Sequence, residues 1–408
     1  MDYPKLRSID VFPCESSGQK VIGLRDPSRL DDKVLLVSYP VFFVISLFDG
    51  TRSLLDIKTE YMRKFGEILY DERLEEIIQY LDDYYLFENE RFESYRRKLE
   101  EEFTTAHLRK AMFAGAGYDS DPQKLMDQID GFFTAPRGPG KPGPSQTGEP
   151  LKGLIAPHID FQRGGTCYAW PYKALLELPP PDLFIILGTV HVPTNNPFVL
   201  TRKDFETPLG TVTSEKALIG SLEKKLPFDP FQDEIVHKTE HTIEFQLLFL
   251  NYCFRDKVPF KVLPVLCSSF HNVISEGVTP LEQPHFNSFI GALRETLEAS
   301  SYKTCFIASA DLAHCGVRFG DASPPSNDFL RNLEREDRAM LSAVEEMDGE
   351  AFYRSVQREK DRRNICGLPP IYALLSLLDA DKGTLLDYQQ SVEPGGGSVV
   401  TYASLVFN

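Results

Sequence analysis

From residue 151 onward, four apolar runs, LKGLIAP, DLFIILG, FKVLPVLC and TCFIASA, alternate with helix-like stretches, YKALLEL, EFQLLFLNYCF, FIGALRETLEA and IYALLSLL. Strands that are apolar throughout must be covered on both faces, and parallel sheets flanked by helices meet that demand. The segment therefore reads as α/β, a central, mostly parallel sheet flanked by helices. A closing stretch, GGGSVVTYASLVF, reads as one more strand entered through a glycine turn.

At 408 residues the chain exceeds a typical single core. The N-terminal part reads as a small separate unit. Pro40 opens a short apolar helix ending at Asp49-Gly50, and Leu54 to Phe65 reads as a second helix. Leu74, Ile77, Ile78 and Leu81 repeat at helical spacing in a third. YYLFENERF then reads as a returning strand or wing, giving an α+β, winged-helix-like unit over 1–100. The third helix is acidic where a DNA reader needs basic residues, so a peptide or protein partner fits better. After a charged helix, ESYRRKLEEEF, the α/β domain spans 101–408. The Pro/Gly-rich stretch at 135–150 reads as a flexible loop.

Sixty acidic against 44 basic residues give a net charge of -16, which argues against a phosphate-backbone binder. The strongest early apolar run, VFFVISLF, falls short of the roughly 18 to 20 residues that span a bilayer, so no membrane span is expected. Seven scattered cysteines lack the paired spacing of a disulfide scaffold, and no leader-like segment opens the chain. A reducing, cytoplasmic setting is expected.

Ligands of open α/β sheets bind outside the carboxyl ends of the strands. His158 after GLIAPH, His191 after DLFIILGTVH, and Asp311 and His314 within TCFIASADLAH all occupy such positions, as does Cys267. Two imidazoles need an anionic third donor to hold a divalent ion, and the residues alone leave two candidates. Asp311 would complete a two-histidine, one-carboxylate face. Cys366 precedes an apolar helix whose N-terminus would lower its thiol pKa and favour a thiolate. In HKTEHTIEFQLLFL, His237 and His241 share a helical face, as do Glu240 and Glu244, while His241 and Glu244 are neighbours at i,i+3. They could serve acid/base work or simply form a solvated helix start. The pair Gly164-Gly165 lacks phosphate-loop spacing, and neither HExxH nor a Gly-x-Ser-x-Gly elbow is present.

Taken in order, RKAMFAGAGY, IAPHIDFQRGG, ILGTVHVP, DFETPLGTV, TEHTIEFQL, VLPVLC, SADLAHCGVRFG, NICGLPPI and GSVVTYAS resemble the MEMO family, relatives of the class III extradiol dioxygenases. The resemblance implies an extradiol dioxygenase-like fold and a metal held by His158, His191 and Cys366. It further implies Asp311 in the same pocket, His314 as the acid/base histidine, and His241 and Glu244 at the pocket rim. Iron or copper is the implied cofactor, with zinc also acceptable to these donors. Cys366 stands where the dioxygenase relatives carry a carboxylate, which argues against extradiol ring cleavage. Ile159, Asp160, Val192 and Ala313 also depart from common family residues, changing pocket shape more than the ligands. DGTRSLLDI and the apolar helix before it resemble small PqqD-type peptide-recognition domains found beside radical-SAM enzymes. Bacterial and archaeal members resemble components of a system with a radical-SAM protein and an AMMECR-type protein, which are therefore the expected partners. The resulting expectation is a metal-dependent redox or oxygen-using protein. A non-enzymatic peptide-binding module and a copper-sequestering protein are the alternatives.

Overall fold

The computed structural model describes residues 2–16, 18–26, 33–255 and 257–408. They form two compact units, 1–105 and 106–408. In the first, β1 (Asp10–Ser16), β2 (Gln19–Arg25) and β3 (Val34–Val37) make an antiparallel sheet in that order, followed by α1 (Tyr39–Ile45), α2 (Leu54–Phe65), α3 (Asp71–Asp83) and α4 (Glu90–Thr105). Ser53 and Asp56 form a reciprocal capping box that starts α2, and Gly66 ends it in the left-handed conformation. Leu24, Leu35, Val44, Ile57, Leu74, Ile77, Leu81 and Phe87 form the core.

The expected returning strand at 84–92 is not formed. It makes one bridge, Leu6 to Phe87, and then turns helical, because Asn89 Oδ1 accepts from Phe92 N at 2.9 Å and starts α4. The sheet of this unit lies instead in residues 10–37, ahead of the helices.

The second unit runs β4 (Leu108–Arg109), α5 (Pro122–Thr134), β5 (Gly153–Ala156), α6 (Phe161–Leu176), β6 (Leu183–Thr189), β7 (Phe198–Leu200), β8 (Asp204–Thr207), β9 (Gly210–Val212), α7 (Lys216–Glu223), α8 (Thr242–Phe254) and β10 (Lys261–Cys267). It continues with α9 (His271–Glu276), α10 (Pro284–Glu298), β11 (Thr304–Ser309), β12 (Asp311–Gly316), α11 (Asn327–Glu345), α12 (Gly349–Arg358), α13 (Leu368–Leu377), β13 (Gly383–Val392) and β14 (Ser398–Phe407). The large sheet is mixed: β5, β11, β6 and β10 are parallel at its centre, while β7 on one side and β14, β12 and β13 on the other are antiparallel.

The continuous apolar runs have the cause inferred from sequence. Along β6, Leu183, Ile185 and Leu187 join the core under α7, α10 and α13, while Phe184 and Ile186 join the one under α6 and α8. Gly164 and Gly165 serve this packing. A Cβ on Gly164 would meet Ile159 at 2.4 Å and one on Gly165 would meet Phe132 at 2.3 Å, so the pair lets α6 approach its neighbours. The Pro/Gly stretch at 135–150 is neither helix nor strand, yet it is strapped to α6. Trp170 Nε1 donates to Arg137 O at 3.1 Å, and Lys173 Nζ donates to Pro139 O at 2.8 Å.

A buried ion pair, Arg363 with Asp337, ties the loop before α13 to α11. Asp337 also accepts from Tyr388 Oη at 2.8 Å and Thr401 Oγ1 at 2.6 Å. Removing Asp337 takes from Arg363 its fully buried counter-charge, leaving Glu359 at 2.6 Å, and takes from the Tyr388 and Thr401 hydroxyls their acceptor. Asp337→Ala should therefore lower the unfolding free energy of the metal-free protein by about 3–5 kcal/mol in urea titration.

Candidate metal centre

The parallel strands end flush. Ala156 of β5 pairs with Ser309 of β11, Ser309 pairs with Gly188 of β6, and Thr189 pairs with Cys267 of β10. His158 and His191 lie two residues beyond β5 and β6, and Asp311 two residues beyond β11. One nitrogen from each of His158 and His191 and the Sγ of Cys366 lie within 4.8 Å of one another. The fold thus brings together the three residues that the family resemblance implied as ligands.

His158 is buried, and its Nδ1–H donates to Ser309 O at 3.0 Å. That bond leaves Nε2 as the acceptor, 3.2 Å from Cys366 Sγ. Burial, together with nearby His191 and His241, holds the imidazole pKa well below its usual value, so the ring is neutral. His191, its side chain 40% exposed, sends Nδ1 to Glu240 Oε2 at 3.0 Å, which makes Nε2 its ligand nitrogen. A fixed tautomer with an oxygen acceptor behind it is the arrangement metal-binding imidazoles need.

Cys366 corrects one expectation. Despite its place before α13, its thiol pKa is pushed well above the usual value, by burial first and by Asp311 second. Burial and the Asp311 carboxylate thus oppose the thiolate, which a bound cation would favour. Cys366 is reached through strained backbone: Lys360, Asp361 and Asn364 all have positive φ, from 50° to 55°.

Asp311 is buried but is not among the grouped donors. Its Oδ1 accepts from His158 N at 2.9 Å and Ile159 N at 3.2 Å, fixing the turn that carries His158. Burial raises its pKa to about 7, against the pull of those two N–H groups.

His314 does not end a strand as expected. The chain breaks at Ala310 and resumes as β12, antiparallel to β14, with an irregularity between Asp311 and His314. Its Nδ1–H faces Leu312 O at 3.1 Å and Asn364 O at 3.2 Å, and its main chain is also tied to 363–364. Two carbonyls at Nδ1 leave Nε2 with the lone pair, and burial lowers the pKa to about 4. His314 is thus a neutral base at neutral pH.

The segment 237–244 differs most from its sequence reading. His237 lies on a separate 3-10 turn, Glu234–Lys238, and bonds Val199 O at 3.0 Å in the core, so it shares no face with His241. Glu244 faces away from the centre: its carboxylate is buried against Arg109 and Tyr118 and accepts from Met112 N at 3.2 Å and Phe113 N at 3.0 Å. With those donors it has no capacity left for acid/base work. His241 does join the centre, its ring 5.4 Å from that of His158 and 5.2 Å from that of His191.

Glu240, which the sequence offered only as a helix-face neighbour of Glu244, is the carboxylate that matters. Oε2 accepts from the main chain and Nδ1 of His191, and Oε1 accepts from His241 Nδ1 at 2.9 Å. Burial would raise its pKa, but the two imidazoles hold it well below the usual range. Cys267 is buried at the end of β10 and stands outside the grouped donors. A groove of about 530 Å³ leads away from His191 and Cys366, lined in part by Val192, Phe270, His271, Asp361 and Asn364.

The family model described as Memo-like protein matches residues 109–406. The chain belongs to the Memo-like family. A MEMO1 family protein of Aquifex aeolicus is 29% identical over 409 residues, 99% of each chain. A MEMO1 family protein of Thermus thermophilus is 25% identical, covering 87% of this chain and 99% of its own. A MEMO1 family protein of Methanopyrus kandleri is 28% identical and covers 98% of its own length but 73% of this chain. Memo-like relatives thus include shorter chains without a counterpart to about a quarter of this one.

The folded state disfavours protonated His314, whereas the unfolded chain protonates near 6.5. Between about 4 and 6.5 the unfolded state binds the extra proton, so this histidine's contribution to stability is complete above 6.5 and is lost as pH falls toward 4. The stability difference between wild type and His314→Gln should grow as pH rises through that window and stay level above it, as measured by denaturant unfolding at a series of pH values.

Proposed function

We propose that this Memo-like chain binds one redox-active metal ion, iron or copper, through His158, His191 and Cys366, and uses it in redox or oxygen chemistry. The observation that carries this reading is the three-donor cluster, with both imidazoles turned ligand-ready by oxygen acceptors behind them. Two neutral imidazoles and one thiolate form a donor set suited to iron, copper or zinc. The raised thiol pKa fits as well, because a bound cation supplies the charge that burial denies the thiolate. When bound, such a metal offers open coordination positions for oxygen or for electron transfer. The protein's part is to place groups around it. His314 Nε2 can take a proton, Asp311 fixes the His158 turn, and the groove beside His191 admits substrate. The extradiol dioxygenase-like fold and acid/base roles for Asp311 and His241 belong to this reading. A cytoplasmic setting also belongs to it, supported by seven free cysteines. No helix among the described residues is long and apolar enough to cross a membrane.

A second reading concerns the first unit. Among the described residues its β3 is an edge strand, and a groove of about 390 Å³ lies beside it, lined by Leu36, Val41, Ile45, Arg73, Ile77 and Tyr80 among others. An open edge next to an apolar groove suits an extended peptide added as a further strand. This supports the PqqD-like reading, with a radical-SAM protein and an AMMECR-type protein as partners.

Metal content of protein purified without added metal tests the first reading. About one iron or copper per chain is expected. Cys366→Ser or His191→Ala should weaken affinity about 100-fold or more, since losing a mere orienting partner costs about 10–100-fold. Absence of stoichiometric metal, with affinities unchanged in both variants, would refute it. Oxygen uptake by the reduced iron form indicates an enzyme, whereas tight Cu(I) binding without uptake indicates copper sequestration. For the second reading, full-length protein should retain the radical-SAM partner. The exposed-site pair Leu36→Lys and Tyr80→Lys should release that partner without altering metal content.

A further inference from the structure

Arg109 has a fully buried guanidinium. A buried cation is retained at a cost unless it is paired and its donors are satisfied. Glu244 supplies the charge. The remaining donors go to main-chain carbonyls: Nε to His237 O at 3.0 Å, one terminal nitrogen to Glu240 O at 2.8 Å, and the other to Lys110 O at 2.8 Å. His237 and Glu240 flank the break between the 3-10 turn and α8, where carbonyls lose regular helical partners. A planar guanidinium with donors in a fixed fork sets the spacing of those two carbonyls, which a lysine ammonium cannot do.

Glu240 reaches the other way from the same point. Its carboxylate meets the Nδ1 atoms of both His191 and His241 and also accepts from His241 N at 2.8 Å. The pair of bonds makes sense only while the Glu240 main chain stays where Arg109 holds it. Glu244 in turn is locked by Tyr118 and by the N–H groups of Met112 and Phe113. Segment 109–118 thereby braces the acid that orients two imidazoles.

We propose that Arg109 is a positioning residue of the metal centre, acting through the 237–240 turn to aim the Glu240 carboxylate at His191 and His241, with Glu244 as its counter-charge. The proposal rests on the metal reading above for its consequence, but not for its geometry. Glu244, placed at the pocket rim by family resemblance, acts here one step behind the pocket.

The test uses the full chain with Arg109→Lys, which keeps the charge opposite Glu244, and with Arg109→Met combined with Glu244→Gln, which removes both charges. Histidine ¹⁵N spectra of metal-free protein report tautomers. In both variants His191 and His241 should move from pure Nδ1–H toward mixed tautomers, while His158, held by Ser309 O, should not change. Co(II), used as a spectroscopic probe, should bind about 10–100-fold more weakly with altered thiolate and d–d absorption bands. Glu240→Gln should give the same loss, and adding Arg109→Lys to it should cause no further one. Folded variants with unchanged His191 and His241 tautomers would overturn the proposal. Loss of folding in both variants would do so too, by assigning Arg109 to the core alone. If wild-type protein binds no Co(II), the metal reading fails, while the tautomer comparison still decides the positioning role.

Discussion

Two of the three candidate donors depend on Asp311. Its carboxylate accepts from the main chain at His158 and Ile159, and its carbonyl accepts from Gly367 N at 2.9 Å, beside the thiol of Cys366. A Cβ at Gly367 would lie 2.3 Å from that carbonyl, so glycine is what lets the thiol-bearing loop close on Asp311. The third donor, His191, comes from β6, whose hydroxyl-bearing last residue reaches the same loop: Thr189 Oγ1 donates to Cys366 O at 3.0 Å. The centre is thus assembled by bonds to the main chain from the Asp311 carboxylate, the Thr189 hydroxyl and Gly367 N, which join three strand ends and one loop.

Electrostatics pull the two sides of the centre apart. On the inner side burial dominates, keeping His158 and His314 neutral and Cys366 protonated, and raising the pKa of Asp311. On the outer side the Glu240 carboxylate stays ionised between two imidazoles. A cation entering between them would find neutral ligands ahead of it and a fixed negative charge behind His191. That polarity, together with Asp361 in the groove wall, favours a divalent or monovalent cation over an anion.

The sheet was legible because burial on both faces leaves an unbroken apolar signature, as in DLFIILG. His158 and His191 were legible because polar residues just past such runs must sit at the sheet's carboxyl edge. Cys366 was not settled by its own surroundings, which suggested a helix-end thiolate where burial in fact prevails. Glu240 was seen only as a helix-face partner of Glu244, because the break before α8 that turns its carboxylate to His191 and His241 has no periodic signal, and Arg109 escaped notice since it acts through main-chain carbonyls at that break. The N-terminal wing was misplaced because Leu86 and Phe87 are apolar enough to suggest a strand, while Asn89 quietly starts a helix.

Lys360, Asp361 and Asn364 sit in a backbone region that costs non-glycine residues of order 1–3 kcal/mol each, although asparagine and aspartate tolerate it better. Such conformations persist only where surrounding contacts over-determine them, here the buried Arg363–Asp337 pair and the Asp361 carboxylate at Ile365 N. A loop of this kind delivers its thiol at one place rather than over a range, so the opening between Cys366 and the two histidines has a set width. Ions would then be sorted by how well they fit that width, and a poor fit would be met by weak binding, not by the protein reshaping itself around the guest.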